Sequence, residues 1–181
     1  MKKEIMIALL VLVIGLSGYL VSKTIGSQSS VQQNSNNVLD LSSKSIDTVD
    51  SSIYGQTSVT ELILSNNNLK TLPSQMGQMV NLKTLKLDHN QLQGSLIAEI
   101  RKMPLESLDV SNNNMTGVPA EVGQLTKLKT LNYSYNQISA LPNEIVNIKN
   151  NLLTLILTGN PFTNEDILKI KAELPNTNVI F

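Results

Sequence analysis

Leu105-Glu-Ser-Leu-Asp-Val-Ser-Asn-Asn-Asn-Met115 follows the pattern LxxLxLxxNxL, and the same eleven-residue pattern recurs along most of the chain. It returns in Val59 to Leu69, Leu82 to Leu92, Leu128 to Ile138 and Leu152 to Phe162. A degenerate first copy, NNVLDLSSKSI, runs from Asn36 to Ile46. Successive copies start 23 residues apart, with a step of 24 into the last. A fixed period in this range marks a solenoid, in which each unit buries its apolar face only by stacking on its neighbours.

Within each copy the Leu-x-Leu alternation marks a short strand with both leucines pointing inward. The inward pairs are Leu39/Leu41, Leu62/Leu64, Leu85/Leu87, Leu108/Val110, Leu131/Tyr133 and Leu155/Leu157. Strands of successive coils pairing in parallel about 4.8 Å apart give six coils a curved ribbon of roughly 24–29 Å. The ninth position is Asn in five copies: Asn67, Asn90, Asn113, Asn136 and Asn160. An amide turned inward there satisfies backbone groups where the chain leaves the strand, and a buried amide must be fully paired. These asparagines form a structural ladder on this reading, with no catalytic role. Lys44 holds the position in the first copy, as suits an atypical terminal repeat.

The return limbs carry Leu72-Pro73, Val118-Pro119 and Leu141-Pro142, followed by apolar pairs such as Met76/Met79 and Val122/Leu125. Proline presets an extended backbone and needs no donor where no ladder forms. The third copy departs, with Gly94-Ser95-Leu96-Ile97, and should keep its register with an altered back. After Phe162 the pattern stops. Thr163 to Pro175 reads as a helix capped by Thr163 or Asn164, with acids in the first turn. Its Ile167, Leu168, Ile170 and Leu174 are expected to cover the last coil, and Asn178 to Phe181 to add a final short strand.

The 181 residues carry 14 basic and 14 acidic side chains, so the balance points to no nucleic-acid partner. Cysteine is absent, which excludes a disulfide framework, a thiolate metal site and a cysteine nucleophile. Ahead of the repeats, Lys2 and Lys3 precede Ile5 to Val21, a run of 17 residues without charge. As a helix it spans about 25 Å, enough to cross a membrane with a snorkelling Lys23. Residues 1–26 are read as a membrane anchor ahead of a cleaved signal, since a signal usually has a shorter apolar stretch. The excess of positive charge before the run keeps the N-terminus cytoplasmic and puts the repeats outside. If the segment is cleaved, the protein is secreted. Residues 27–37, rich in Ser, Gln and Asn, read as a flexible tether reaching roughly 17–20 Å. Domains are therefore expected at 1–26 (anchor), 27–37 (tether), 36–162 (repeats) and 163–181 (cap).

Taken together, the six tandem copies resemble the leucine-rich repeat proteins, and the 23-residue unit with Leu-Pro return limbs is similar to their typical class. The copy with Gly94 looks like the plant receptor variant. The resemblance implies an α/β leucine-rich-repeat solenoid: a right-handed short horseshoe or arc with a parallel concave β-sheet and a C-terminal helical cap, here with an N-terminal transmembrane helix. It also implies protein recognition on the concave side. Lacking the cysteine-rich caps of extracellular animal members, the chain looks like a bacterial cell-envelope protein.

In such a unit the positions between and just after the leucines face the concave surface. Reading down the coils, the central column is Asp40, Ile63, Lys86, Asp109, Asn132 and Ile156. The next is Ser42, Ser65, Asp88, Ser111, Ser134 and Thr158, followed by Ser43, Asn66, His89, Asn112, Tyr135 and Gly159. Lys86, Asp88, His89, Asp109, Asn132 and Tyr135 make the candidate recognition patch, because they mix charge with an aromatic anchor. For any one of them a solvated sheet face is the alternative. His89, Ser111 and Asp109 supply the residue types of a catalytic triad, but an open sheet offers neither a buried orienting carboxylate nor exclusion of water. Three exposed ligands, Asp88, His89 and Asp109, would hold a metal weakly. The expectation is a recognition module without enzyme activity, metal or cofactor, binding a protein or envelope ligand. The alternative is a scaffold that self-associates, as a weak homodimer through small residues of the membrane helix or through an exposed edge.

Overall fold

The computed structural model describes residues 33–34 and 37–181. The expected anchor, Ile5 to Val21, lies outside the described residues, and no helix among these is long and apolar enough to cross a membrane.

Each copy of the pattern supplies one three-residue strand. In chain order they are β2 (Val38–Asp40), β3 (Glu61–Ile63), β4 (Thr84–Lys86), β6 (Ser107–Asp109), β8 (Thr130–Asn132) and β9 (Thr154–Ile156). β1 (Gln33–Asn34) precedes them, β10 (Asn178–Ile180) follows, and β5 (Gln93–Gly94) and β7 (Asn114–Met115) lie apart. The main sheet runs β1-β2-β3-β4-β6-β8-β9-β10. From β2 onward every pairing is parallel. Its register places Leu39, Leu62, Leu85, Leu108, Leu131, Leu155 and Val179 side by side. The six leucines of that row are no more than 1% exposed. At about 1.5–3 kcal/mol for each leucine taken out of water, this row is a main source of stability. β1 lies inside the segment expected as tether and pairs antiparallel with β2.

The return limbs close each coil with 3-10 turns: Ser51–Ile53, Ser74–Gln78, Ala98–Lys102, Ala120–Gln124 and Asn143–Ile148. Pro73, Pro119 and Pro142 stand immediately before three of them, with φ between −75° and −67°, the angle their rings impose. Ile97 takes the same conformation, φ −63° and ψ 144°, in the copy that lacks proline. Neighbouring turns pack closely enough that a Cβ on Gly123 would lie 2.2 Å from the Glu144 carbonyl oxygen. The departure at Gly94 has a specific consequence: β5 and β7 form a second, two-stranded parallel sheet. Gly94 has φ +66°, and its carbonyl accepts from the N–H groups of Thr116 and Gly117 at 2.9 and 3.1 Å.

At the C-terminal end stands α1 (Asn164–Glu173), capped by Thr163, which with Asp166 forms a reciprocal capping box. Ile170 and Leu174 are buried and Ile167 is half-buried, but Leu168 is 70% exposed, contrary to expectation. Two residues before Ile170 is about 200° around a helix, which turns Leu168 outward. β10 then pairs with β9, and Phe181 meets Phe162 edge-on with centroids 5.8 Å apart.

Candidate functional site

Strand alternation divides every coil into a leucine face and an open face, and the six patch residues come from β4, β6, β8 and the turns that follow them. Lys86, Asp109 and Asn132 are register partners on adjacent strands. Asn132 donates to Asp109 Oδ2 at 3.0 Å. Asp109 Oδ1 accepts from the Ser111 N–H at 2.9 Å, and Asn132 Oδ1 from the Ser134 N–H and hydroxyl at 3.0 and 2.7 Å. Lys86 turns the other way and donates to Glu61 Oε1 at 2.8 Å.

Asp88 joins two coils. One carboxylate oxygen accepts from the Ser65 hydroxyl, and the other lies 3.0 Å from His89 Nδ1. Ser65, Asp88 and His89 thus form a chain with the carboxylate in the middle, which separates the Ser65 hydroxyl from the imidazole. Ser111, the hydroxyl weighed for a triad, is buried at 5% exposure, and its carbonyl accepts from the His89 backbone N–H at 3.1 Å. No hydrogen bond joins its side chain to the imidazole among the described residues. No group of three or more acidic, His or Cys side chains able to hold a metal occurs among the described residues.

Two of the three columns differ from a plain surface. Ser65, Ser111 and Ser134 are buried, because the chain is already turning away from the sheet at the seventh position. At the eighth position the backbone is left-handed in every coil: φ is +54° to +57° at Ser43, Asn66, His89, Asn112 and Tyr135, and +75° at Gly159. Asn and Gly accept this readily; His and Tyr do so at some cost. Tyr135 is 57% exposed, and its ring lies over Gly159, where a Cβ would come within 2.6 Å of Cδ1.

Reading only the positions between and after the leucines missed the residue before the first leucine of each strand. Glu61, Thr84, Ser107, Thr130 and Thr154 alternate onto the open face too, and all are half-exposed. The two-residue period was the available signal. At the N-terminal edge, Asp40 accepts from the Ser42 N–H at 2.9 Å. That bond, then the Ser42 hydroxyl, with Lys44 and Lys86 beyond, holds its carboxyl below the usual carboxylate range.

The asparagines at the ninth position are spent on backbone. Asn113 donates from Nδ2 to the carbonyls of Leu87, Val110 and Ser111, each at 3.0 Å, and accepts from the Leu92 N–H at 2.9 Å. Asn90, Asn136 and Asn160 likewise bridge to the preceding coil. Asn67 accepts from both Lys44 and Ile46 of the first coil, each at 3.0 Å.

No curated protein matches the chain. A leucine-rich repeat protein of Leptospira interrogans, known as a solved structure, is similar at 27% identity with a TM-score of 0.47, over 80% of this chain and 54% of that one. The chain therefore spans about half the length of that protein. The family profile described as "Leucine rich repeat" matches residues 37–92 and 104–162. The interval between them, 93–103, holds β5 and the third return turn, where the repeat departs from its pattern. By the profile match over most of its length, this chain belongs to the leucine-rich repeat family.

Proposed function

We propose that the protein is a non-enzymatic recognition module of the bacterial cell envelope, binding another protein or an envelope ligand on a concave sheet face. Repeats of this family generally mediate protein–protein contact. One observation carries the reading to a site: Tyr135 is 57% exposed with its ring over Gly159, in the same coil as Asn132, whose side chain is fixed by hydrogen bonds to Asp109 and Ser134. An exposed aromatic on a face of fixed polar groups is the kind of anchor that carries interface energy. Ile5 to Val21 supplies the attachment in this proposal, with the N-terminus cytoplasmic and the repeats outside.

The test is a crosslinking pull-down from envelope extract with the full chain, beside a Lys86→Ala/Asp109→Ala/Tyr135→Ala form. A partner captured by the unmutated chain and lost by the triple variant is the expected result. If both forms capture the same set, the open face has no special part and self-association becomes the reading to pursue.

A further inference from the structure

The charges of this chain cancel in total, 14 against 14, but they are not evenly spread. Along the rim where the strands begin, Lys83, Arg101, Lys102, Lys127 and Lys129 line three adjoining shallow depressions, with Glu106 as the acid among the lining residues. The depressions hold about 380, 460 and 240 Å³, and Lys127 lines all three. Glu106 is shared by Lys129 at 2.7 Å and Lys83 at 3.7 Å, and Arg101 lies 3.7 Å from Glu121. Lys102 and Lys127 have no carboxylate in salt-bridge range among the described residues. Two large apolar side chains stand on the same rim: Val80 at 52% exposure lines two of the depressions, and Leu153 at 59% lines the third.

We infer that this strand-start rim is a second docking surface, separate from the open sheet face, and that it takes an acidic polypeptide segment carrying apolar residues. Excess positive charge over a row of open depressions attracts carboxylates, and the two bare lysines gain partners without breaking an existing pair. Val80 and Leu153 give apolar side chains of the segment a place to leave water. Nucleic acid fits less well, since the depressions are lined by no aromatic side chain on which a base could stack.

Fluorescence anisotropy with the full chain in neutral detergent tests the inference. The probes are a labelled peptide of glutamates interrupted by leucines, its glutamine counterpart, and an oligothymidine of the same length. The glutamate peptide is expected to bind, the other two at least tenfold more weakly, on the order of the effect charge steering and pairing allow. Lys102→Glu/Lys127→Glu should weaken the glutamate peptide by about tenfold or more. The control Lys70→Glu/Lys169→Glu, with the same change in net charge, should leave it unaltered. Lys102→Gln/Lys127→Gln, with a melting temperature checked against wild type, should give a smaller loss in the same direction and guards against misfolding of the reversed form. The triple alanine form of the open face should bind the peptide as wild type does, which keeps this surface distinguishable from the proposed recognition face. No binding, equal loss in the control pair, or oligothymidine bound as tightly as the peptide overturns the inference.

Discussion

Asn113 makes three donor contacts and one acceptor contact with backbone groups of its own coil and the one before, whereas the neighbouring Asn114 is exposed, with no side-chain hydrogen bond among the described residues. Asn113→Ala strands a buried N–H and buried carbonyls and should cost about 1–3 kcal/mol, while Asn114→Ala should be nearly silent. Thermal melts decide it: equal melting temperatures for the two would refute the assigned role. Tyr133 presents the opposite situation. Its ring fills an inward leucine position at 0% exposure, and its hydroxyl is the buried side-chain polar group left without a partner among the described residues. Burial pushes the Tyr133 phenol up, so the folded state keeps its proton longer than the unfolded chain does. Its contribution is intact below the unfolded pKa of about 10 and is lost as pH rises beyond it. Tyr133→Phe should therefore raise stability by about 1 kcal/mol at neutral pH and flatten the alkaline fall. Chemical denaturation at neutral and alkaline pH reads both effects, and a less stable Phe variant would mean that the hydroxyl is satisfied. Leucine and asparagine spacing was legible at this scale because a buried position tolerates few side chains. The left-handed backbone under His89 and Tyr135 was not, because those two residue types do not announce a positive φ.

Elements show the same contrast between constrained and unconstrained positions. The strands follow from alternation, and the leucine row follows from the register. The return turns are less readable, since a Leu-Pro pair fixes where the chain bends and leaves open that 3-10 turns follow. β5 and β7 depend on one left-handed glycine, Gly94, together with a partner strand in the next coil, which no local pattern reveals. The start of the cap helix is legible in its capping residues, whereas Leu168 is apolar yet falls on the outward side of the helix, which only its angular position reveals. Its N-terminus makes a prediction. Thr163 donates its hydroxyl and backbone N–H to Asp166, at 2.5 and 2.9 Å, and accepts from the Asp166 N–H at 3.2 Å. The Thr163 side-chain bond, then its backbone bond, holds the Asp166 carboxyl below the usual carboxylate range. A depressed folded pKa gives stability that is present above the unfolded value, about 3.9, and is lost as pH falls through the folded one. Thr163→Ala should lower the melting temperature at neutral pH, and the gap from wild type should narrow in acid. A gap that stays constant from neutral pH into acid would show that the carboxylate takes no part in the cap.

The described residues form a stack in which each coil touches mainly its neighbours, and stability in such an array is close to a sum of local and nearest-neighbour parts. Its two ends are built differently. The N-terminal coil is edged by β1, and its own return limb is held by Tyr54, which donates to the Val49 carbonyl at 2.6 Å. The C-terminal coil is covered by α1 and β10, with Lys171 set 5.7 Å over the Phe181 ring. This arrangement explains why the repeats are readable from sequence and the exposed surfaces are not. Coils must agree with one another to stack, which forces repetition, whereas exposed side chains on the open face and the rim are under no such constraint and need not repeat. Nearest-neighbour coupling also predicts how a defect travels. Ile170, on the inward side of the cap helix, is buried at 5% exposure, and Ile170→Asp places a charge in that apolar contact. The damage should fall first on β9 and β10, so hydrogen exchange at the Leu155 and Leu157 amides should speed up by an order of magnitude or more. Leu62 and Leu64, separated from β9 by the three strands β4, β6 and β8, should keep nearly their original protection. Exchange measured by mass spectrometry on peptides from the two ends separates the outcomes. Equal acceleration at both ends would mean that the stack melts as one unit, and the cap would then be stabilising the whole array through a coupling stronger than contact between adjacent coils provides.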